Sequence, residues 1–388
     1  VPNTPGFVRG VYNLRGEIIT IIDLRALFNL PFQLKSANEE ESGLILRLDT
    51  NMIGVVVDKI DKVVGINSAN IQPPHPIFGD INIKYISGVV ENDGRLYIIL
   101  DVERVLGKSE EKERPQAEEF AKEKPLAAKE DFSKHRDTVN GNEEEQYRDF
   151  ISESLLALVG FNVSAVNAKW FSQRYKEWTE SRKGQQVQIR TMDDAKTFLE
   201  TFYSPFSSQL WGPEYFDAVL NALPENLGNF IQVWNPGCGR GYETYSLAVA
   251  LRSKYPDAQI KIWASDKDLL NISGAPNLVF AEREIPDIYR PYMVQGRNGQ
   301  TFSPKIKETI LFEYHDIGNS HALPPMDLVF ARDLVSFMAK EPQARLLAEM
   351  NENLKKGGYV IFGKNEIPPS GEGWEVKEVK HMSVGHKV

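Results

Sequence analysis

Trp234 to Leu251, WNPGCGRGYETYSLAVAL, constrains this chain most: an apolar strand runs into a glycine-rich turn that opens directly into a helix, predicted to be amphipathic. Gly237, Gly239 and Gly241 let the backbone turn tightly and approach a ligand. The following helix offers unpaired N–H groups and a positive dipole end to a carboxylate or phosphate. A tight turn of the same shape with no ligand is the alternative that this motif alone leaves open. A second apolar strand, Ile260 to Ala264, ends at Ser265, Asp266, Lys267 and Asp268. It puts a carboxylate roughly 25 residues beyond the glycines, where a ribose diol is held in nucleotide-binding sheets.

With 388 residues, 26% of them charged, the chain is long enough for two or three domains. A net charge of −9 without a basic tract argues against a nucleic-acid binder, and no apolar run is long enough to span a membrane. The expectation is a soluble, cytoplasmic protein, with no N-terminal segment resembling a signal peptide. A single cysteine, Cys238, excludes an intramolecular disulfide framework and a cysteine-based metal site, and no metal is expected. Inside the glycine turn Cys238 reads as a small packing residue or, alternatively, as a nucleophile with no histidine near it in sequence.

Residues 1–107 read as β structure: Phe7 to Leu14, Ile18 to Ile22, Leu44 to Leu48, Ile53 to Val57, Val63 to Ile66, Tyr85 to Val90 and Leu96 to Leu100. Asn92-Asp93-Gly94 is a strong hairpin signal and Arg15-Gly16 a plausible one. Short helices are expected at Asp23 (DLRALF) and Asp101 (DVERVL), each opened by a capping Asp. IITIIDLRALFNL and LYIILDVERVLG thus form an internal repeat of strand, Asp and helix, and two similar small barrels are expected. Residues 108–147 are dense in charges of both signs and poor in aromatics, which predicts a charged, flexible linker holding the flanking parts at high effective concentration. Helical periodicity follows, with Phe150, Leu155, Leu158, Val159, Trp170, Phe171, Tyr175 and Trp178 as its core. From residue 230 strands and helices alternate, predicting a mainly parallel sheet with strands at Ile231 to Trp234, Ile260 to Ala264, Leu328 to Phe330 and Tyr359 to Phe362. A small β insertion is expected at about 283–312, around Asn298-Gly299.

Two family resemblances cover nearly the whole chain. Residues 1 to about 107 resemble the CheW-like chemotaxis adaptors through VPNTPGFVRGVYNLRGEIITIIDLRALF, IGVVVDKIDKVVGI and YISGVVENDGRLYIILDVERVL. Such domains usually carry further strands ahead of this segment, so the expectation is an N-terminally truncated double barrel. Residues from about 148 to 381 resemble the CheR family of S-adenosylmethionine-dependent chemoreceptor glutamate methyltransferases. NAKWFSQRYKEW, GCGRGYETYSLAVAL, WASDKD, MDLVFARDLVSFM and LKKGGYVIFGKNE carry this likeness. It implies a helical subdomain at 148–222 and a Rossmann-like methyltransferase domain at 223–388 that includes the β insertion.

The resemblance also implies site residues. Glu243 stands where a family glutamate receives the cofactor's amino group, and Asp266 at the ribose position, with Gly237, Gly239 and Gly241 beneath the cofactor. The family's asparagine–leucine pair after the insertion is here Asp316-Ile317, and its CRNxxIYF segment is ARDLVSFM, so Asp333 replaces an asparagine and Phe337 a tyrosine. In SPFSSQLWGPEYF, Ser207 or Ser208 stands for a threonine and Trp211 for an arginine that can pair with the acceptor glutamate. Catalytic residues are thus not assigned: Trp211 and Phe337 are apolar replacements at family positions.

Taken together, the expected function is a scaffold at the membrane-associated receptor array. Its adaptor domain, with Asn13, Arg15 and Gly16 as the contact, would couple chemoreceptor tips, other CheW-like adaptors and the histidine kinase CheA. The CheR-like domain would have lost efficient catalysis and would contribute array contacts, with S-adenosylmethionine as its possible cofactor and loss of that binding as the alternative. An active protein-glutamate O-methyltransferase is the alternative, and a cofactor sensor without transfer a third possibility.

Overall fold

A computed structural model describes residues 6–14, 17–28, 30, 41–48, 51–73, 85–92, 94–105, 141–182, 187–367 and 373–388. The chain divides into two compact units, Val1–Asp131 with Asp268–Asn277 and Phe132–Lys267 with Leu278–Val388.

In the first unit, β1 (Val8–Leu14), β2 (Glu17–Asp23), β3 (Ser42–Leu48) and β4 (Asn51–Val57) form a sheet in the order β1-β2-β4-β3. The β1–β2 pair is antiparallel with Leu14 opposite Glu17, which leaves a two-residue connection at Arg15 and Gly16. Both residues lie outside the described ones. β5 (Ile86–Asn92) and β6 (Arg95–Leu100) pair antiparallel with Asn92 opposite Arg95, and Gly94 takes φ 73, the left-handed turn predicted for this hairpin. α1 (Leu24–Leu27) follows β2, and the Asp23 carboxylate accepts from Arg25 N at its start. α2 (Val102–Val105) follows β6, with Val105 N donating to Asp101 O. The repeat of strand, Asp and helix is therefore real.

One expectation changes. Val63 to Ile66 forms no strand; Val63 is fully exposed at 102% and Ile66 at 38%. A β-branched run lacking a ladder partner has nothing to hold it extended. Among the described residues the first repeat contributes four strands, the second an antiparallel pair extended by one bridge, Gln72 to Val89.

The second unit begins with helices. α3 (Gly141–Val159), α4 (Ala168–Ser181) and α5 (Met192–Leu199) bury Ile151, Leu155, Trp170, Phe171, Tyr175, Trp178 and Phe198 in one core with Phe161 and Phe202. Ile151, not the expected Phe150, points inward; Phe150 is 40% exposed. α3 starts at Gly141, so residues 141–147 are helix rather than linker. Glu144 and Glu145 near the start of the helix suit the positive end of its dipole, so a charge run here does not oppose helix formation. α6 (Pro213–Ala222) follows, with Pro213 in its first turn.

The sheet contains β7 (Phe230–Pro236), β8 (Gln259–Asp266), β11 (Ile310–Tyr314), β12 (Met326–Ala331), β13 (Leu354–Gly363), β14 (Trp374–Val379) and β15 (Met382–Lys387), ordered β11-β8-β7-β12-β13-β15-β14. The first five are parallel, and β15 runs antiparallel to both its neighbours. β12 is buried at all six positions, as a strand covered on both faces must be. Strand order reverses between β7 and β12, and at such a switch point the crevice outside the strand ends takes ligands. α7 (Tyr242–Lys254) follows β7, α8 (Leu269–Gly274) follows β8 and α10 (Lys340–Asn353) precedes β13. α7 is not the amphipathic helix predicted: Thr244 to Leu251 are buried without interruption, so the helix is enclosed on every side.

The β insertion is smaller than expected. β9 (Met293–Gln295) and β10 (Gln300–Phe302) form a two-stranded hairpin, and the short α9 (Pro304–Lys307) follows. β11, which the range 283–312 entered, is a strand of the main sheet alongside β8.

Candidate cofactor site at the glycine turn

Gly237, Gly239 and Gly241 take φ values of 66, 51 and 87, all left-handed, which is why the turn needs glycine. Three hydrogen bonds fix it: Cys238 N to Ser265 O at 3.0 Å, Gly239 N to Asp266 Oδ2 at 2.8 Å and Gly241 N to Cys238 O at 3.0 Å. The glycines differ in what lies over them. A Cβ on Gly237 would stand 2.7 Å from Leu334 Cδ1, whereas one on Gly239 meets no atom within 4 Å. Gly239 therefore faces open space at the mouth of the turn, and α7 starts beside it without a side-chain cap. Cys238 is buried; burial first, then the negative charges of Asp266 and Glu243, push its thiol well up, which makes it a packing residue rather than a nucleophile.

Glu243 sits in the first turn of α7. Its Oε1 accepts from Asn235 Nδ2 at 3.3 Å and its Oε2 from Arg332 Nε. Asn235, wholly buried, is itself oriented by Phe330 O at 2.9 Å and by the Thr244 hydroxyl at 2.7 Å. Arg332 follows β12. Its side chain is 3% exposed; Nη1 donates to Pro205 O at 2.8 Å, and the guanidinium lies 5.0 Å from the Tyr215 ring centroid and 5.8 Å from that of Trp211. Burial alone would lower the arginine's pKa, but Glu243, Tyr215 and Asp333 together more than offset it, so Arg332 stays charged. Burial pushes the Tyr215 hydroxyl up to about 12.

The other predicted residues fall in distinct places. Asp266 ends β8 and is bound to the turn through Gly239. Asp316 is exposed and closes a local turn onto Gly318 N at 2.9 Å; Ile317 packs against the cluster that holds Trp234 and Val329. His315 N donates to Asp266 O at 3.1 Å, which ties the residues before Asp316 to the end of β8. Asp333 is turned onto the segment before α6, accepting from Ser204 N at 2.6 Å and Ser204 Oγ at 2.9 Å. Trp211 is 0% exposed, tilted against Phe330 at 5.5 Å and edge-on to Tyr215 at 5.4 Å. Phe337 belongs to the helical core, stacked on Tyr203 and edge-on to Phe161 and Phe202. Ser207 donates to Ser204 O at 3.1 Å, within its own segment. In the first unit Asn13 is exposed on β1.

Arg332 is the residue that sequence reasoning passed over, although it stands beside Asp333 in ARDLVSFM. Its importance is visible only once β12 brings it to Glu243, 89 positions away.

An S-adenosyl cofactor fits this donor set. Gly239 leaves open space at the turn, Asp266 supplies a carboxylate at the end of the neighbouring strand, and Glu243 retains lone pairs for an ammonium group beside its two internal bonds. Among the described residues no group of three or more His, Cys, Asp or Glu could hold a metal ion. Among the same residues no helix is long and apolar enough to cross a membrane.

Comparison with known families agrees with this geometry. Residues 1–110 match the CheW-like domain, 141–198 the CheW–CheR linker domain and 206–382 the CheR methyltransferase, SAM binding domain. The chain is a CheW-like domain joined through a linker domain to a CheR methyltransferase SAM-binding domain. It is 32% identical over 221 residues to an uncharacterised 104.1 kDa protein of Rhodobacter capsulatus, covering 50% of this chain and 23% of that one. It is 33% identical over 112 residues to the chemotaxis protein CheW of Treponema pallidum, covering 28% of this chain and 66% of that one. The chain thus spans less than two thirds of either relative. The scaffolding protein TtCheW of Thermoanaerobacter tengcongensis is 30% identical, with 28% of this chain and 71% of that chain covered and a TM-score of 0.25. The SAM binding domain that residues 206–382 match implies S-adenosylmethionine as the group for the glycine turn.

Proposed function

We propose that this CheW–CheR fusion is a chemotaxis scaffold: the CheW-like domain couples chemoreceptor tips, other CheW-like adaptors and the kinase CheA, and the CheR-like domain takes up S-adenosylmethionine without efficient methyl transfer. Trp211 carries this reading. It stands where the family resemblance calls for an acceptor-binding arginine, and it is wholly buried among Phe330, Tyr215 and Arg332. Methyl transfer to a carboxylate is an in-line displacement at a sulfonium methyl group, so a protein accelerates it chiefly by holding donor and acceptor in register. The donor side keeps Gly237, Gly239, Gly241, Glu243 and Asp266, with Asp316 and Ile317 beside Asp266 through His315. On the acceptor side an arginine has become Trp211 and a tyrosine Phe337.

Bound S-adenosylmethionine would supply an activated methyl group; the chain's own contribution is a carboxylate for the amino group at Glu243 and one for the ribose at Asp266. The test pairs calorimetric titration of the full chain with S-adenosylmethionine and S-adenosylhomocysteine with an assay for methyl esters on receptor cytoplasmic fragments. Binding heat without ester is the expected result. Turnover on receptor glutamates would establish the second reading, an active protein-glutamate O-methyltransferase. Arg332 favours that second reading, since it keeps one buried guanidinium next to the cofactor carboxylate even though Trp211 has none.

A further inference from the structure

Thr201 to Pro205, the strap that leads to Trp211 and α6, is held from two strand ends. Arg332 Nη1 donates to Pro205 O at 2.8 Å, and Asp333 accepts from both Ser204 N and Ser204 Oγ, at 2.6 and 2.9 Å. Just beyond β13, Asn365 Nδ2 donates to Thr201 O at 3.0 Å and to Phe202 O at 2.6 Å. Asp333 makes its contacts at φ 52, a left-handed conformation unfavourable for a residue with a side chain. Such a conformation persists where the surroundings over-determine it, and it clusters at ligand clamps. Gly363 makes room: a Cβ there would stand 2.4 Å from Asp333 Oδ1 and 2.6 Å from Ser204 Oγ. The adjacent Arg332 reaches the other way, to Glu243 on α7. Two consecutive residues thus join the strap to the carboxylate that would meet the cofactor's amino group.

We propose that Asp333 is a positioning residue that clasps the Thr201–Pro205 strap through Ser204, so that strap order, Arg332 and Glu243 are linked and an S-adenosyl ligand binds best to the clasped form. The linkage rests on the glycine turn being the cofactor site; the clasp itself does not. A coupling of this kind is reciprocal: ligand protects the strap, and loosening the strap weakens the ligand.

Hydrogen exchange of the strap amides and calorimetric binding of S-adenosylhomocysteine, both on the full chain, test it. In ligand-free Asp333→Ala the amides of residues 202–204, 206 and 207 exchange faster, and binding weakens by about tenfold, the loss of one to two hydrogen bonds. Ser204→Ala, which keeps the backbone donor, moves both readouts in the same direction by less, and it carries the test if Asp333→Ala does not fold. Asp333→Asn, which keeps an acceptor and tolerates the left-handed region, restores most of the protection. Unchanged strap exchange in both alanine variants overturns the clasp. A loosened strap with unaltered affinity overturns the linkage. Wild-type protein that takes up no S-adenosylhomocysteine overturns the cofactor reading and the linkage together, and that result appears before any substitution is made.

Discussion

Trp211 and Glu366 show how much one buried side chain decides. Replacing Trp211 by the arginine that the family resemblance calls for would put a second guanidinium beside Arg332 in a site of 0% exposure. Trp211→Arg is therefore expected to destabilise the domain by about 3–5 kcal/mol in urea denaturation and not to restore methyl transfer. Unchanged stability would show that the site can open. Glu366 is fully buried, accepting from Ser336 N at 2.7 Å and Leu334 N at 3.3 Å; burial, then the neighbouring Asp333, push its carboxyl up to about 7. With its folded value above its unfolded one, the folded state holds the proton more tightly. That stabilisation is complete below pH 4.5 and is lost as pH rises through 7. Thermal midpoints of the wild type should thus fall from pH 5 to pH 8 more steeply than those of Glu366→Gln, which cannot titrate there; parallel slopes would refute the assignment.

At the scale of the element, the glycine turn separates two requirements that its three glycines combine. Gly239→Ala meets open space and bears only the left-handed backbone cost of about 1 kcal/mol, yet its methyl group enters the mouth of the turn. It should lower the unfolding midpoint only modestly while weakening S-adenosylhomocysteine binding by about tenfold or more. Gly237→Ala collides with Leu334 as well, so it should lose more stability than Gly239→Ala in the same denaturation experiment. The turn was legible in the sequence because its chemistry is local, as was the repeated unit of strand, capping Asp and helix at Asp23 and Asp101. Local signals also misled where pairing decides: Val63 to Ile66 has β-branched side chains but no partner strand, and the charges at 141–147 belong to a helix. α7 looked amphipathic because its serine, threonine and tyrosine residues read as polar, whereas Thr244, Tyr245 and Ser246 are all buried. What the sequence hid was long range: Arg332 to Glu243, Asp333 to Ser204, and β11 beside β8.

For the whole molecule, the proposed scaffold role has the adaptor half decide where the transferase-like half goes. Arg15→Glu is expected to remove the chain from sediments of receptor and CheA while leaving the heat of S-adenosylhomocysteine binding unchanged. Retained co-sedimentation would move the contact away from the β1–β2 turn. Fold class and the order of the parts were readable along the chain, since each is a pattern of neighbouring residues; the closure of the sheet was not. β15 lies between β13 and β14, hydrogen-bonded to both, so the strand that completes the sheet comes after both strands it joins. During synthesis, the methyltransferase-like sheet must therefore wait with two unsatisfied edges until residues 382–387 emerge from the ribosome. In the CheW-like sheet β4 likewise joins the earlier β2 and β3, but all four strands are made well before residues 382–387. A ribosome stalled after residue 381 would hold an adaptor already able to form its sheet, tethered to a partner that cannot yet close.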